Sequence, residues 1–133
     1  MAQPTRDHFA ALTARVENTL ENVSLKRIEY NPQRVLWEVR GSLGEFGIRI
    51  KEIFTKKGRL YSYYVIKSGE VVVGFDNYPD RQALRRKYGR AFVAHLDELI
   101  PHKHGPRKAT FELGKEMTVE EFLKHLCQKV SGG

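Results

Sequence analysis

Residues 34–76 carry the feature that most constrains the fold, a run of alternating apolar and polar side chains interrupted by short turns. In the first part of the run, Val35, Trp37 and Val39 alternate with a second set that is mostly charged. Such alternation is typical of a strand with one buried face. The pattern predicts strands over residues 34–43, 45–54, 59–67 and 70–76. Because parallel neighbours would need connections of a dozen or more residues, these strands are expected to form an antiparallel meander.

Amphipathic helices are predicted on both sides of the meander. Between residues 5 and 23, apolar side chains recur at three- and four-residue spacing, which predicts an N-terminal helix. The next residues, 24–30, alternate weakly and are interpreted as a short strand. Near the other end, Thr118 and Glu121 have the spacing of a capping box, and the apolar pattern that follows predicts a C-terminal helix.

Together these elements predict an α+β fold, an antiparallel β-meander of four to five strands flanked by an N-terminal and a C-terminal helix. Phe111 and Leu113 are the candidate for an added edge strand. Pro101 and Pro106 are expected to keep the segment between them outside regular structure, because proline lacks a backbone donor. With 133 residues and no recognisable linker, the chain is expected to form one domain over residues 1–133.

The composition favours a folded, basic, cytoplasmic protein. Hydrophobic residues make up 41% of the chain, which argues against a disordered protein. No apolar run approaches the ~20 residues of a membrane span and no secretory signal is recognisable, so no membrane partner is expected. A single cysteine cannot form an internal disulfide, which fits a reducing compartment. The net charge of +7 favours an acidic partner such as nucleic acid.

The positive charge is concentrated after residue 80. Arginine and lysine can hold phosphates there, and a tyrosine among them can stack on an unpaired base. Tyr61, Tyr63 and Tyr64 are instead interpreted as sheet residues, because tyrosine is common in strands. The candidate nucleic-acid-binding residues are Arg81, Arg85, Arg86, Lys87, Tyr88, Arg90, Lys103, Arg107 and Lys108.

Asp76 and Asn77 stand at the end of the last predicted strand of the meander. A side chain at a strand end is held by the sheet and faces a loop, where functional groups are often found. The simpler interpretation is a turn, because both residue types bond their own backbone. The spacing alone favours the turn.

His102 and His104 lie in the segment IPHKHGP. Histidine titrates near neutral pH, so the pair could share the acid and base steps of metal-free RNA cleavage. If the segment is extended, both rings point the same way and would suit a metal ion, with a third ligand such as Asp76. The third interpretation is a polar, solvated loop.

The sequence also resembles a known family. A strand ending in GFDNYPD, a basic segment with KYG, then IPHKHGP and a closing EMTVEEFLKHL are similar to the TumE-type toxin family of bacterial and archaeal toxin–antitoxin modules. The likeness covers residues 61–126. The matching positions are Asp76, Asn77, His102, Lys103 and His104. Many members carry a histidine pair soon after Asp-Asn, where this chain has Tyr78-Pro79-Asp80-Arg81.

The resemblance implies a small toxin that acts on RNA and is neutralised by a cognate antitoxin. The resulting prediction is a metal-independent endoribonuclease without a cofactor. His102 and His104 are its candidate acid and base, Asp76 orients a histidine or the substrate, and the basic residues hold phosphate. The alternative is a non-catalytic basic domain that binds nucleic acid or an acidic protein.

Overall fold

The computed structural model describes residues 6–108 and 111–131 and contains a seven-stranded antiparallel sheet. The strands are β1 (Glu21–Tyr30), β2 (Val35–Leu43), β3 (Phe46–Thr55), β4 (Gly58–Lys67), β5 (Glu70–Asp76), β6 (His102–His104) and β7 (Phe111–Leu113). Each strand pairs with the next along the chain, which makes the sheet a continuous meander. The predicted α+β class and antiparallel meander are therefore confirmed. Within these residues, no helix has the length and apolar character needed to cross a membrane.

The predicted count of four to five strands was too low. The strand expected over residues 24–30 exists as the longer β1, and the edge strand expected at Phe111 and Leu113 exists as β7, so the strand that the sequence did not predict is β6. The expectation that the segment between Pro101 and Pro106 lies outside regular structure was wrong. Both prolines stand outside β6, so the backbone groups of residues 102–104 remain available for pairing.

The helices are α1 (Arg6–Thr19), α2 (Arg81–Tyr88) and α3 (Val119–Ser131). The predicted N-terminal helix extended to residue 23, but α1 ends at Thr19 because β1 begins at Glu21 and pairs with β2. Leu20 is still buried, so the apolar periodicity continued past the helix. The capping box at α3 is confirmed, since the Thr118 hydroxyl accepts from the Glu121 amide at 3.2 Å and the Glu121 carboxylate accepts from the Thr118 amide at 3.1 Å.

The hydrophobic core lies between one face of the sheet and the helices α1 and α3. Phe9 of α1 stacks on Trp37, and Phe122 of α3 stacks on Tyr63. The alternation in β2 to β5 sends every second side chain into this core. The sheet residues buried there include Val35, Trp37, Val39, Ile48, Ile50, Phe54, Tyr61, Tyr63, Val65 and Phe75.

The intervening side chains lie on the opposite side of the sheet, here called the distal face. It is defined by the positions Arg49, Lys51, Ser62, Tyr64 and Asp76, which alternate with the core positions on β3, β4 and β5. Cross-strand pairing places Ser62 next to Asp76 and Tyr64 next to Gly74. The polar residues singled out in the sequence therefore meet on the side of the sheet away from α1 and α3.

Candidate functional site

Asp76 is the centre of a polar cluster on the distal face. The pairing of β5 with β6 sets Asp76 opposite His102 and Gly74 opposite His104. The Asp76 carboxylate has the His102 Nε2 at 3.0 Å from Oδ1 and the His104 Nε2 at 3.2 Å from Oδ2. The Tyr64 hydroxyl donates to Oδ2 at 2.7 Å. One carboxylate is therefore surrounded by two imidazoles and a phenol, and the structure brings together all three predicted catalytic residues.

The Tyr64 side chain reaches Asp76 because residue 74 is glycine. The ring lies across β5, and a Cβ built on Gly74 would overlap its Cδ1 and Cε1 atoms. Burial and the hydrogen bond to Asp76 raise the pKa of Tyr64, so the phenol stays protonated and remains a donor. The interpretation of Tyr64 as an ordinary sheet residue was incomplete, although it holds for Tyr61 and Tyr63, which are buried in the core.

Asn77 supports the strand end and does not face the cluster. Its Oδ1 accepts from the Tyr61 amide at 2.9 Å, and its Nδ2 donates to the Arg59 carbonyl at 2.7 Å. The side chain thus bonds backbone groups of β4 in the way that a paired strand would. The turn predicted here also exists, because Asp76 Oδ1 accepts from the Tyr78 amide at 3.2 Å. Asp76 therefore serves the turn and the polar cluster at once.

His102 is held as a donor at both ring nitrogens. Its side chain is 1% exposed, with Nδ1 at 2.7 Å from the Ile100 carbonyl and Nε2 directed at Asp76. Burial lowers the pKa of His102, but the bonds to Asp76 and Ile100 outweigh burial and raise the pKa above its ordinary value. Burial likewise raises the pKa of Asp76, and the donors His102 and Tyr64 with the positive charge of His102 lower it overall. The pair is a buried imidazolium and carboxylate.

His104 is in the opposite electrostatic state. Burial is the main cause that lowers its pKa, and the positive charges of His102 and Lys108 lower it further, against the attraction of Asp76. The ring is therefore neutral at neutral pH, with Nε2 donating to the carboxylate. Its Nδ1 is buried and has no hydrogen-bond partner among the residues that the structure describes. Two titratable groups whose pKa values are driven apart are a common arrangement for proton transfer.

Asp76, His102 and His104 are also a donor set that could hold a metal ion. One carboxylate oxygen and two imidazole nitrogens lie within 4.8 Å of one another, and these are ligand types that Zn²⁺ and other transition metals accept. The Ile100 carbonyl fixes the second nitrogen of His102, as ligand histidines often require. The sequence predicted that the two histidines would suit a metal ion if their segment were extended, and residues 102–104 have that extended form.

Of the predicted phosphate-binding residues, Lys108 lies at the cluster and Lys103 does not. The Lys108 ammonium lies 4.7 Å from the centre of the Tyr64 ring, and its backbone has a positive φ of 58°. A left-handed backbone at a residue other than glycine is uncommon and is often found at functional positions. Lys103 alternates with the two histidines and therefore faces the core side, 5.7 Å from the Phe75 ring centre.

The basic residues singled out between positions 81 and 90 lie on α2 or, for Arg90, just after it. Arg81, Arg86 and Arg90 are exposed, and Arg85 lies over the Phe92 ring at 4.7 Å. Lys87 and Tyr88 both bond the Glu98 carboxylate, so their charge and hydroxyl are partly engaged within the protein. The side chain of Arg107 lies outside the described residues. No hydrogen bond or ion pair described for these α2 side chains joins them to Asp76 or the two histidines.

The sequence interpretation missed Tyr64 and the neighbouring cations Arg49 and Lys51. The signal was present, because the alternation that buries Ile48 and Ile50 sends Arg49 and Lys51 to the other face. The density of positive charge along the chain instead indicated the basic run after residue 80 as the nucleic-acid-binding segment. Strand alternation combined with the pairing of β3 and β4 would have placed Arg49 beside Tyr64.

A second buried polar cluster lies on the core side. Arg59 pairs with Glu52, and the Tyr63 hydroxyl donates to the same carboxylate at 2.8 Å. Arg59 also donates to the Met117 carbonyl at 2.6 Å, just before α3 begins. These contacts are all made within the protein, which favours a structural role in fixing the start of α3 on the sheet.

Comparison with models of protein families, with curated proteins and with solved structures finds no match to this chain.

Proposed function

We propose that the protein is the toxin of a toxin–antitoxin module and cleaves RNA without a metal ion, using the cluster at Asp76 as its active site. The observation that carries this proposal is the arrangement of His102 and His104 around one carboxylate, with their pKa values displaced in opposite directions. The net charge of +7 supports an anionic substrate. The toxin role and the cognate antitoxin rest on the resemblance to TumE-type toxins, and the cytoplasmic location rests on the single cysteine, which cannot form an internal disulfide.

In the proposed reaction, His104 is the general base. Its Nδ1 accepts the proton of a ribose 2′-hydroxyl, and the 2′-oxygen attacks the adjacent phosphorus. The bond from phosphorus to the 5′-oxygen then breaks, leaving a 2′,3′-cyclic phosphate, and the 5′-oxygen takes a proton from the Lys108 ammonium. Because Nδ1 is buried in the free protein, substrate binding has to uncover it.

His102 is assigned a positioning role in place of the acid role predicted from the sequence. Its side chain is 1% exposed and both ring nitrogens are engaged, so it does not reach a substrate oxygen. Its positive charge keeps Asp76 ionised, and Asp76 in turn accepts from the Nε2 of His104. This bond fixes the tautomer in which Nδ1 of His104 carries the lone pair.

The test is cleavage of a labelled single-stranded RNA by the purified protein, with and without EDTA. Cleavage that EDTA leaves unchanged, and that yields 2′,3′-cyclic ends, is expected. His104→Gln keeps a polar side chain and removes the base, so the rate should fall by roughly 10²–10⁴-fold, the usual contribution of a general base. His95→Gln is the matched control, because His95 contacts Tyr88 and Glu98.

Two results would count against this mechanism. Intact RNA in every condition would remove the ribonuclease proposal. Cleavage that EDTA abolishes and Zn²⁺ or Mn²⁺ restores would replace it with metal chemistry at the same three residues. For the toxin role, induced expression of the wild-type chain should arrest growth of a bacterial host, whereas the His104→Gln variant should not.

The second candidate function is a non-catalytic domain that binds RNA. One observation favours it, namely that the side chains of Asp76 and His102 are only 7% and 1% exposed, as in a purely structural cluster. Under this alternative, RNA is bound but not cleaved, and His104→Gln binds RNA as tightly as the wild type.

A further inference from the structure

The distal face carries a row of side chains that the proposed reaction leaves unexplained. Successive cross-strand partners along the row are Arg40 on β2, Arg49 on β3, Tyr64 on β4, Gly74 on β5 and His104 on β6. Because neighbouring strands lie about 4.8 Å apart, the row is roughly 19 Å long. It begins at two arginines and ends at the proposed base.

The two arginines are an unfavourable pair within the protein alone. Arg40 and Arg49 are exposed and stand directly opposite each other, a position in which like charges destabilise a sheet. Arg40 has a long ion pair to Glu38 at 3.9 Å. In the part of the chain that the structure describes, no ion pair is found for Arg49. An anion lying between the two guanidinium groups would remove this repulsion.

Further cations stand on both sides of the row. Lys51, two residues after Arg49 on β3, shares the distal face, and Lys108 lies over Tyr64 near the other end. Tyr64 itself does not offer a free ring for stacking, because one side of it packs on Gly74 and the Lys108 ammonium lies over the ring. The surface therefore suits a chain of phosphates and does not suit a stacked base.

We propose that single-stranded RNA crosses the distal face along this row, with its phosphates held by Arg40, Arg49 and Lys108 and its scissile nucleotide at His104. The inference rests on the proposed function and names the substrate path at the same site. It assigns the RNA contact to β2 and β3, whereas the sequence pointed to the arginines of α2. A single strand is required because the attacking and leaving oxygens at phosphorus have to be in line, which a rigid duplex does not readily permit.

The test measures binding of a fluorescein-labelled, fully 2′-O-methylated single-stranded RNA by anisotropy over a range of salt concentrations. This probe has no 2′-hydroxyl and cannot be cleaved by the proposed reaction. The variant is Arg40→Ala/Arg49→Ala, and the matched control is Arg85→Ala/Arg86→Ala, which also removes two exposed arginines. Circular dichroism melting checks that both variants are folded.

Each phosphate contact contributes about 0.7 to the slope of log K against log salt for a single strand. Loss of Arg40 and Arg49 should therefore reduce the slope by about 1.4. The ratio of wild-type to variant affinity should then grow roughly 25-fold for a tenfold decrease in salt concentration. The α2 control should bind as the wild type does. A wild-type slope in Arg40→Ala/Arg49→Ala, a larger loss in the α2 control, or equal binding of duplex RNA would each overturn the inference.

Failure of this inference can be told apart from failure of the proposed function. If the wild type cleaves unmodified RNA and the Arg40→Ala/Arg49→Ala variant cleaves and binds equally well, the path is wrong and the activity stands. If the wild type binds through the two arginines and never cleaves, the path stands and the activity is wrong.

Discussion

Replacing Asp76 by asparagine tests whether this carboxylate organises the cluster. Three side-chain donors converge on it, from Tyr64 at 2.7 Å, His102 at 3.0 Å and His104 at 3.2 Å. Asparagine has nearly the same shape, but one of its terminal atoms is a donor and would face another donor. The substitution also removes the counter-charge of the buried His102 imidazolium.

The magnitude follows from what is lost. Hydrogen bonds to a charged group contribute about 1.5–3 kcal/mol each. Breaking a buried ion pair costs about 3–5 kcal/mol when the remaining group stays charged and buried without a partner. Because His102 can lose its proton and the asparagine oxygen still accepts, we expect a loss of about 2–4 kcal/mol in the free energy of unfolding. For a domain of this size, that corresponds to a fall in Tm of roughly 6–16 °C.

The assay is urea unfolding followed by circular dichroism, with Asp97→Asn as an exposed control expected to stay within about 0.5 kcal/mol of the wild type. NMR titration of the imidazole carbons gives a second readout. The pKa of His102 should lie above its ordinary value in the wild type and should fall in Asp76→Asn. Unchanged stability together with an unchanged His102 titration would refute the reasoning.

Three further predictions concern other contacts of the fold. Gly74→Ala should lose about 1–3 kcal/mol of stability because its Cβ displaces the Tyr64 ring, and the loss should nearly vanish in a Tyr64→Ala background, measured as a double-mutant cycle. The contribution of His102 to stability is complete below pH 6.5 and is lost as pH rises through its raised pKa. That of His104 is complete above pH 6.5 and is lost as pH falls through its lowered pKa. Unfolding midpoints measured from about pH 5 to pH 8 check both statements. His102→Gln should reduce the loss of stability at alkaline pH, and His104→Gln should reduce the loss of stability at acidic pH. Thr118→Ala should cost about 1 kcal/mol by removing the cap of α3, and an unchanged Tm would contradict the capping role.

Local sequence pattern was most informative where an element is long and regular. The alternation in residues 34–76 predicted β2 to β5, and the capping box predicted the start of α3. It was least informative for β6, because three residues are too few to show a period and the flanking prolines argued against a strand. The same limit applied at Leu20, which continues the apolar spacing of α1 after the helix has ended.

The candidate site shows the same division. Asp76, His102 and His104 were identified from their residue types, while their contact depends on the pairing of β5 with β6. These strands are separated by a helix and irregular segments, so no local pattern reveals that they are neighbours. Lys103 shows the converse, since it is adjacent to both histidines in the chain and lies on the other side of the sheet.

By itself, the sequence determined the alternating faces of the central strands, the capped C-terminal helix and the excess of positive charge. These are properties of single residues and of neighbours within a few positions, where side-chain period and backbone preference act directly. Only the tertiary structure decided which strand lies beside which. That pairing sets Tyr64 over Gly74, brings both imidazoles to one carboxylate and aligns Arg40 and Arg49 with His104, because each of these contacts joins residues on different strands.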